Sequence, residues 1–431
     1  MQWIKLPFSH AIHGGRFPID STPGVTCRVY SCVERQSIDC YSGRQPVTKL
    51  AVILFLAGAG FAFYIVAGYP LLLAVLAWWR PKPVQKRFSD KTVTVLLAVY
   101  NGEKWIRAKL ESILQLDYPR SRMQILAISD GSTDQTDSVI SAFQDEGVEL
   151  LRVPHGGKAA ALNAGMAHAT GEILLFTDVR QQLEPDALRQ LVACLGDPAV
   201  GGVSGQIVFV KSDGDGEADV GVYWLFEKWL RDKLTAVDSL LVATGCVYAL
   251  RRELARPLPP AALIDDAYLP LAVVFGGYRF VFERRAIAYD YPTHLAMEFQ
   301  RKVRTLAGLF QVVGTYPRLL NVFTRVGFHF FSYKLGRLLL PYALLLVAAT
   351  GFWLPHPWAE AAIGGQVSIY GLAAVDYWVP AGFALKRLSA VCRMFVVLMA
   401  ASLFAGSILI VPAGKLWKET RVKDGESPAA G

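Results

Sequence analysis

The chain has 431 residues, 53% of them hydrophobic, and a formal charge of +8 from 44 basic and 36 acidic side chains. That length accommodates one sizeable α/β domain plus a membrane portion, and the gathering of apolar residues into a few blocks argues against a purely soluble chain. The positive charge forms no long run and no patch interleaved with aromatics, so no nucleic acid is expected as a partner. Membrane lipids with anionic headgroups and phosphorylated substrates are favoured instead. Cys27, Cys32 and Cys40 cluster without a CxxC pair or a nearby histidine pair, which speaks against zinc. Cys194, Cys246 and Cys392 lie in apolar stretches and read as reduced, buried thiols.

In chain order, residues 1–47 are polar and aperiodic, with no apolar core of the signal-peptide kind, and are expected to form a weakly ordered tail. Ala51–Trp79 is almost uncharged and long enough to cross a hydrocarbon core of about 30 Å, which sets a transmembrane helix at 48–79. Trp78 and Trp79 anchor its end, and Arg80, Lys82, Lys86 and Arg87 follow, which places that end in the cytoplasm. Residues 88–296 then read as a cytoplasmic catalytic domain. Strands are expected at Thr92–Val99, Gln124–Ser129, Val148–Val153 and Glu172–Thr177, with helices at Glu103–Gln115 and Ala159–His168. Such alternation implies a doubly wound, mostly parallel sheet whose ligands bind beyond the carboxyl ends of the strands.

The stretch 297–337 mixes basic, aromatic and apolar residues and suits helices lying at the membrane surface. Within 338–413, candidate spans are Leu338–Leu354, Ile369–Leu385 and Val391–Val411. The middle one carries Asp376 and is the weakest. Three spans would leave the basic stretch Lys415–Lys423 of the 414–431 tail outside, against the positive-inside tendency.

Acidic residues stand at the expected strand ends. Asp130 can accept hydrogen bonds from a uracil or ribose, or form an Asx turn; Asp134 reads as the cap of the next helix. Asp178 can hold Mg²⁺ or Mn²⁺ against a diphosphate, or initiate a helix. Asp265 and Asp266 open a helical segment: one can take the proton of an acceptor hydroxyl, the other can cap. The Gly156-Gly157-Lys158 run can cradle phosphate with backbone N–H groups and a lysine but lacks the P-loop pattern. Gly202-Val203-Ser204-Gly205 is not a nucleophile elbow, because its second glycine comes one position early.

The order of these pieces carries a resemblance. Ala98-Val99-Tyr100-Asn101-Gly102-Glu103, Ile128 to Asp134, Gly157 to Gly165, Gly171 to Asp178, and Thr244-Gly245 leading to Ile264-Asp265-Asp266 resemble the family-2 glycosyltransferases of GT-A fold. The flanking apolar segments are similar to those of the cellulose, chitin and hyaluronan synthase branch. The resemblance implies an inverting transfer from a nucleotide-sugar (UDP-sugar) donor to a polysaccharide or lipid-linked acceptor in exopolysaccharide or cell-envelope glycan synthesis. It implies a multi-pass protein of the inner (plasma) membrane. By the same resemblance Glu103 and Asp130 contact the nucleotide, Lys158 lies near the diphosphate, Asp178 is the metal-side aspartate and Asp266 the general base. Arg301 and Arg304 stand where synthases carry Gln-x-x-Arg-Trp and would face the leaving pyrophosphate.

Two departures qualify it. The family's Asp-x-Asp is Asp178-Val179-Arg180 here, so Arg180 either supplies charge that a metal gives elsewhere or leaves the metal to the donor phosphates. No tryptophan follows Arg304, which weighs against processive synthesis. The rival readings are a transferase adding one sugar to a lipid carrier and a non-catalytic nucleotide-sugar-binding protein of the same fold.

Overall fold

The computed structural model describes residues 44–88, 90–210, 222–291, 295–380 and 382–409. Cys27, Cys32, Cys40, the expected tail up to residue 43 and the basic stretch Lys415–Lys423 lie outside the described residues. Eight strands form one sheet: β1 (Val93–Val99), β2 (Met123–Asp130), β3 (Val148–Val153), β4 (Ile173–Thr177), β5 (Gln182–Leu183), β6 (Val200–Phe209), β7 (Val247–Arg251) and β8 (Arg279–Asp290), in the order β3-β2-β1-β4-β7-β6-β8-β5.

Strands β3, β2, β1 and β4 are parallel, β7 runs antiparallel between β4 and β6, and β6 and β8 are again parallel. The sheet is therefore mixed but mostly parallel. Leu96, Leu126, Ile128, Leu174 and Phe176 point into one apolar layer; Val95, Leu97, Ile125, Ala127 and Leu175 point into the other. A period of two with apolar residues on both faces is what a sheet covered by helices on each side requires. The first four strands fall within a residue or so of their expected bounds, and β5 to β8 complete the sheet beyond them.

The helix Arg44–Phe63 continues through a π turn, Tyr64–Gly68, into the helix Tyr69–Trp79. From Thr48 to Trp79 it is long and apolar enough to cross a membrane, as are Arg325–Gly351 and Leu385–Leu409. Ile53, Leu56, Phe63 and Leu71 remain exposed on the first of these, while Tyr69 and Leu73 are buried. The buried pair joins Leu230, Leu234, Phe330 and Leu338 in one apolar core, so the sheet domain and the long helices are packed as a unit.

Two expected boundaries are corrected. The surface segment 297–337 does not end at residue 337: Arg325–Phe330, the π turn Phe331–Leu335 and Gly336–Gly351 are one continuous apolar helix. The expected span Ile369–Leu385 does not exist as a helix. A helix Trp358–Val375 ends there, Asp376 opens a short 3-10 turn, and Pro380 precedes the next long helix, which begins at Leu385. Asp376, fully buried, instead accepts hydrogen bonds from Ser389 and pairs with Lys386 and Arg393.

Candidate active site

The residues at the carboxyl edge of the parallel strands fall into two groups. The first surrounds Asp130, the last residue of β2 and only 3% exposed. Its Oδ1 accepts the Gly156 N–H at 2.8 Å, and its Oδ2 accepts the Gly157 N–H at 2.9 Å. The backbone groups expected to cradle a phosphate are therefore donated to Asp130. Gly131 makes the approach possible: at φ +68°, a Cβ there would stand 2.9 Å from the His155 nitrogen. The His155 imidazole stacks on Tyr100 at 4.3 Å, giving an exposed aromatic pair beside the buried carboxylate. Glu103 belongs to the same neighbourhood. Its Oε2 accepts the Gln135 N–H at 3.2 Å, while Asp134 Oδ2 accepts the Glu103 N–H at 3.1 Å. Asp134 also accepts the Thr136 N–H, 3.0 Å away, as an Asx turn does.

The second group centres on Lys158, the first residue of the helix Lys158–His168. Its ammonium lies 2.8 Å from Asp178 Oδ1 and 2.9 Å from Asp265 Oδ1, so three residues widely separated in sequence meet at one point. Burial opposes the lysine's charge, but the Asp178 and Asp265 carboxylates outweigh it and hold its pKa above the ordinary lysine value. Asp178 follows β4 directly, and its side chain is 37% exposed against 10% for Asp265.

Asp265 and Asp266 occupy the first two positions of the helix Asp265–Phe275, and no side chain caps that helix through its N-cap residue, Ile264. Asp265 is committed: Lys158 holds Oδ1 and the Tyr248 hydroxyl donates to Oδ2 at 2.8 Å. Asp266 is not. Its Oδ1 is buried without a hydrogen-bond partner, and burial, reinforced by the Asp265 charge, raises its pKa to about 7. Gly245 adjoins it, since a Cβ at that position would reach 3.3 Å from Asp266 Oδ2. A carboxyl with a raised pKa and a free acceptor oxygen has the properties of a general base working near neutrality. Arg304, on the helix Leu295–Thr315, is desolvated and lies within the field of Asp178, Asp266 and Asp265; Arg301 stands one turn before it.

Arg180 has a separate partner. Its guanidinium pairs with Asp290, which is fully buried at the end of β8 and also accepts the Gln181 side-chain amide at 2.9 Å. Of the two readings given for Arg180, charge supplied in place of a metal or a metal left to the donor phosphates, the pairing with buried Asp290 favours the second. Beneath the same turn sits Lys109, 1% exposed, whose ammonium donates to Thr177 Oγ1 at 2.6 Å and to the Gln181 carbonyl at 2.5 Å. Burial lowers its pKa to about 7. Lys109 and Tyr248 were not legible as site residues, because each reads locally as an ordinary helix or strand position.

Among the described residues no three His, Cys, Asp or Glu side chains converge as a metal cage. Asp178, with its side chain 37% exposed beside Lys158, fits the kind of ion that takes one or two protein carboxylates and completes its shell with substrate phosphates.

Residues 94–258 match the family described as Glycosyl transferase family 2, and the fold is GT-A-like. The chain is 25% identical over 216 residues to the probable glycosyltransferase YdaM of Bacillus subtilis, an alignment covering 46% of this chain and 50% of that protein. It is 29% identical over 114 residues to the beta-monoglucosyldiacylglycerol synthase of a Synechocystis species, covering 25% of this chain and 24% of the relative. The chain thus spans about half the length, or less, of these relatives. Among solved structures, the mannosyltransferase PcManGT of Pyrobaculum calidifontis, in complex with GDP-Man and Mn²⁺, superposes with a TM-score of 0.64 at 22% identity. That likeness covers 84% of this chain and 98% of the other, reaching well beyond the family domain.

Proposed function

We propose that the protein is an inverting glycosyltransferase that moves a sugar from a nucleoside-diphosphate donor to a hydroxyl of a glycan or lipid-linked acceptor at a membrane. The observation that carries this reading is the contrast within one helical turn: Asp265 is held by Lys158 and Tyr248, while Asp266 keeps a buried, unpartnered oxygen.

The nucleotide lies over the ends of β1 and β2, with Tyr100 and His155 offering a stacking face and Asp130 and Glu103 fixing the loops that frame it. Asp266 takes the proton of the acceptor hydroxyl as that oxygen attacks the anomeric carbon. A single displacement inverts the centre, so an α-linked donor gives a β-linked product. The diphosphate departs into the field of Lys158, Arg301 and Arg304. Asp178 would hold Mg²⁺ or Mn²⁺ together with the donor phosphates, and such an ion supplies charge neutralisation for the departing diphosphate.

Membrane residence is supported by the three long apolar helices. Phe299, on the catalytic side, packs against Phe404 near the end of the last one. Two C-terminal spans, rather than three, return the chain to the side of the catalytic domain, which accords with Arg80, Lys82, Lys86 and Arg87 marking that side as cytoplasmic. The basic groups at the other end, Lys386 and Arg393, are neutralised by Asp376. The localisation we assign is the inner membrane, multi-pass, and the pathway is envelope or exopolysaccharide glycan synthesis. The test is nucleoside-diphosphate release by the purified chain in membranes across a panel of nucleotide sugars, with and without Mg²⁺ or Mn²⁺. Binding of a nucleotide sugar with no release in the presence of cell-envelope lipid extract would favour the non-catalytic reading.

A further inference from the structure

The catalytic-domain end of the helix Arg325–Gly351 carries charge where a span would ordinarily be apolar. Lys334, within the π turn Phe331–Leu335, and Arg337 one turn later are directed at Glu227 of the helix Val222–Val237, whose side chain is 8% exposed. Arg337 lies 2.8 Å from Glu227 Oε2, Arg231 lies 3.7 Å from Oε1 and Lys334 lies 3.9 Å from it, and the Tyr333 hydroxyl donates to the same carboxylate. Three basic side chains therefore face one carboxylate in a largely desolvated joint, with Asp266 the further acid near Arg231. Charge buried in such excess is costly unless an anion joins it. Ionisable side chains within a span mark functional sites more often than structural ones.

The joint adjoins the proposed base. Arg231 donates to Thr244 Oγ1 at 2.7 Å, and the next residue, Gly245, packs against Asp266. A small, shallow pocket lined by Gln206, Trp224, Glu227, Lys228, Arg231 and Thr244 borders the Arg231 and Glu227 side of the cluster, with Lys334 and Arg337 outside its lining. Among the described residues Lys334, by contrast with the two arginines, makes a long ion pair to Glu227 and a contact with the Tyr333 ring, 4.0 Å away.

We propose that Lys334, Arg231 and Arg337 form an anion site for the phosphate of a membrane-anchored acceptor, holding it beside Asp266. The proposal rests on the glycosyltransferase reading above and names the chemistry of its acceptor. The ligand arrives from the lipid phase along the span that supplies two of the three cations, so its phosphate is met where that span enters the catalytic domain.

The test uses the full chain in phosphatidylcholine nanodiscs. Hexadecyl phosphate, hexadecanol, inorganic phosphate and phosphatidylglycerol are titrated while tryptophan fluorescence, to which Trp224 in the pocket contributes, is followed. Hexadecyl phosphate is expected to bind, hexadecanol not to, and Lys334→Gln to weaken binding about tenfold. Glu227→Gln, which removes the competing carboxylate, should tighten it. Nucleotide-sugar binding, measured on the same samples, should be unchanged in Lys334→Gln; its absence in the wild-type chain would count against the glycosyltransferase reading rather than this site. Equal binding of hexadecanol, or an unchanged affinity in Lys334→Gln, would overturn the proposal. So would phosphatidylglycerol binding as tightly as hexadecyl phosphate, since the site would then serve bulk lipid headgroups. Inorganic phosphate matching hexadecyl phosphate would likewise overturn it, by removing any role for the anchor.

Discussion

The two halves of the site are built differently. On the half proposed to take the donor, around β1, β2 and β4, the polar groups are largely paired: Asp130 with two backbone N–H groups, Lys158 with Asp178 and Asp265, Lys109 with Thr177 and Gln181. On the acceptor half, where the helices Val222–Val237, Asp265–Phe275 and Arg325–Gly351 meet, pairing is incomplete. Asp266 has a bare oxygen and three cations crowd one carboxylate. A fully paired half suits a ligand held in fixed geometry, whereas an unpaired half keeps reactive groups available to a substrate that completes them.

Breaking the unpaired half should cost most in rate. Asp266→Asn is expected to lower turnover by about 10²–10⁴-fold, the usual contribution of a general base, with donor affinity nearly unchanged in a calorimetric titration. The wild-type rate should rise with pH through an apparent pKa of about 7, which the Asn variant should not show. The same shift has a sign in stability. Because the folded carboxyl stays protonated up to about 7, against 3.8 for the ordinary group, the folded state binds more protons across that window. Stability therefore falls as pH rises from about 4 to 7, and Asp266→Asn should flatten that slope in denaturant titrations.

Breaking the paired half should cost stability as well as binding. Removing Arg180 leaves Asp290 buried without its cation, a loss of about 3 kcal/mol for a pair of this kind. Arg180→Asp, which would recreate Asp-x-Asp, should destabilise further rather than improve metal use, because two carboxylates would face each other; thermal unfolding with and without Mn²⁺ checks this. Lys158→Met should destabilise less, about 2 kcal/mol given its partial exposure, and should also weaken donor binding. The smallest effect is expected where neutral groups bridge the long helices. Tyr64→Phe removes one 2.7 Å hydrogen bond to Ser332, worth about 1 kcal/mol, and should leave turnover alone.

The same division explains what could be read from the sequence. β1 to β4 announce themselves as short apolar runs ending in Asp130 and Asp178, so the donor half is written locally. β6 contains three glycines and two register shifts, and β8 carries Glu283, Arg284 and Arg285, so neither shows a clean period of two. Lys334 and Arg337 resemble surface charges in sequence. Only contact with Glu227, more than a hundred residues earlier, buries them and lets the span begin at Arg325. Which of Asp265 and Asp266 is free was likewise undecidable locally, because Lys158 and Tyr248 make the choice from distant elements.

The most direct measurement is nucleoside-diphosphate release by the wild-type chain and by Asp266→Asn, each in membranes and each saturated with the same nucleotide sugar. The account predicts release by the wild type and its loss in a variant that still binds the donor. Normal release by Asp266→Asn would contradict it.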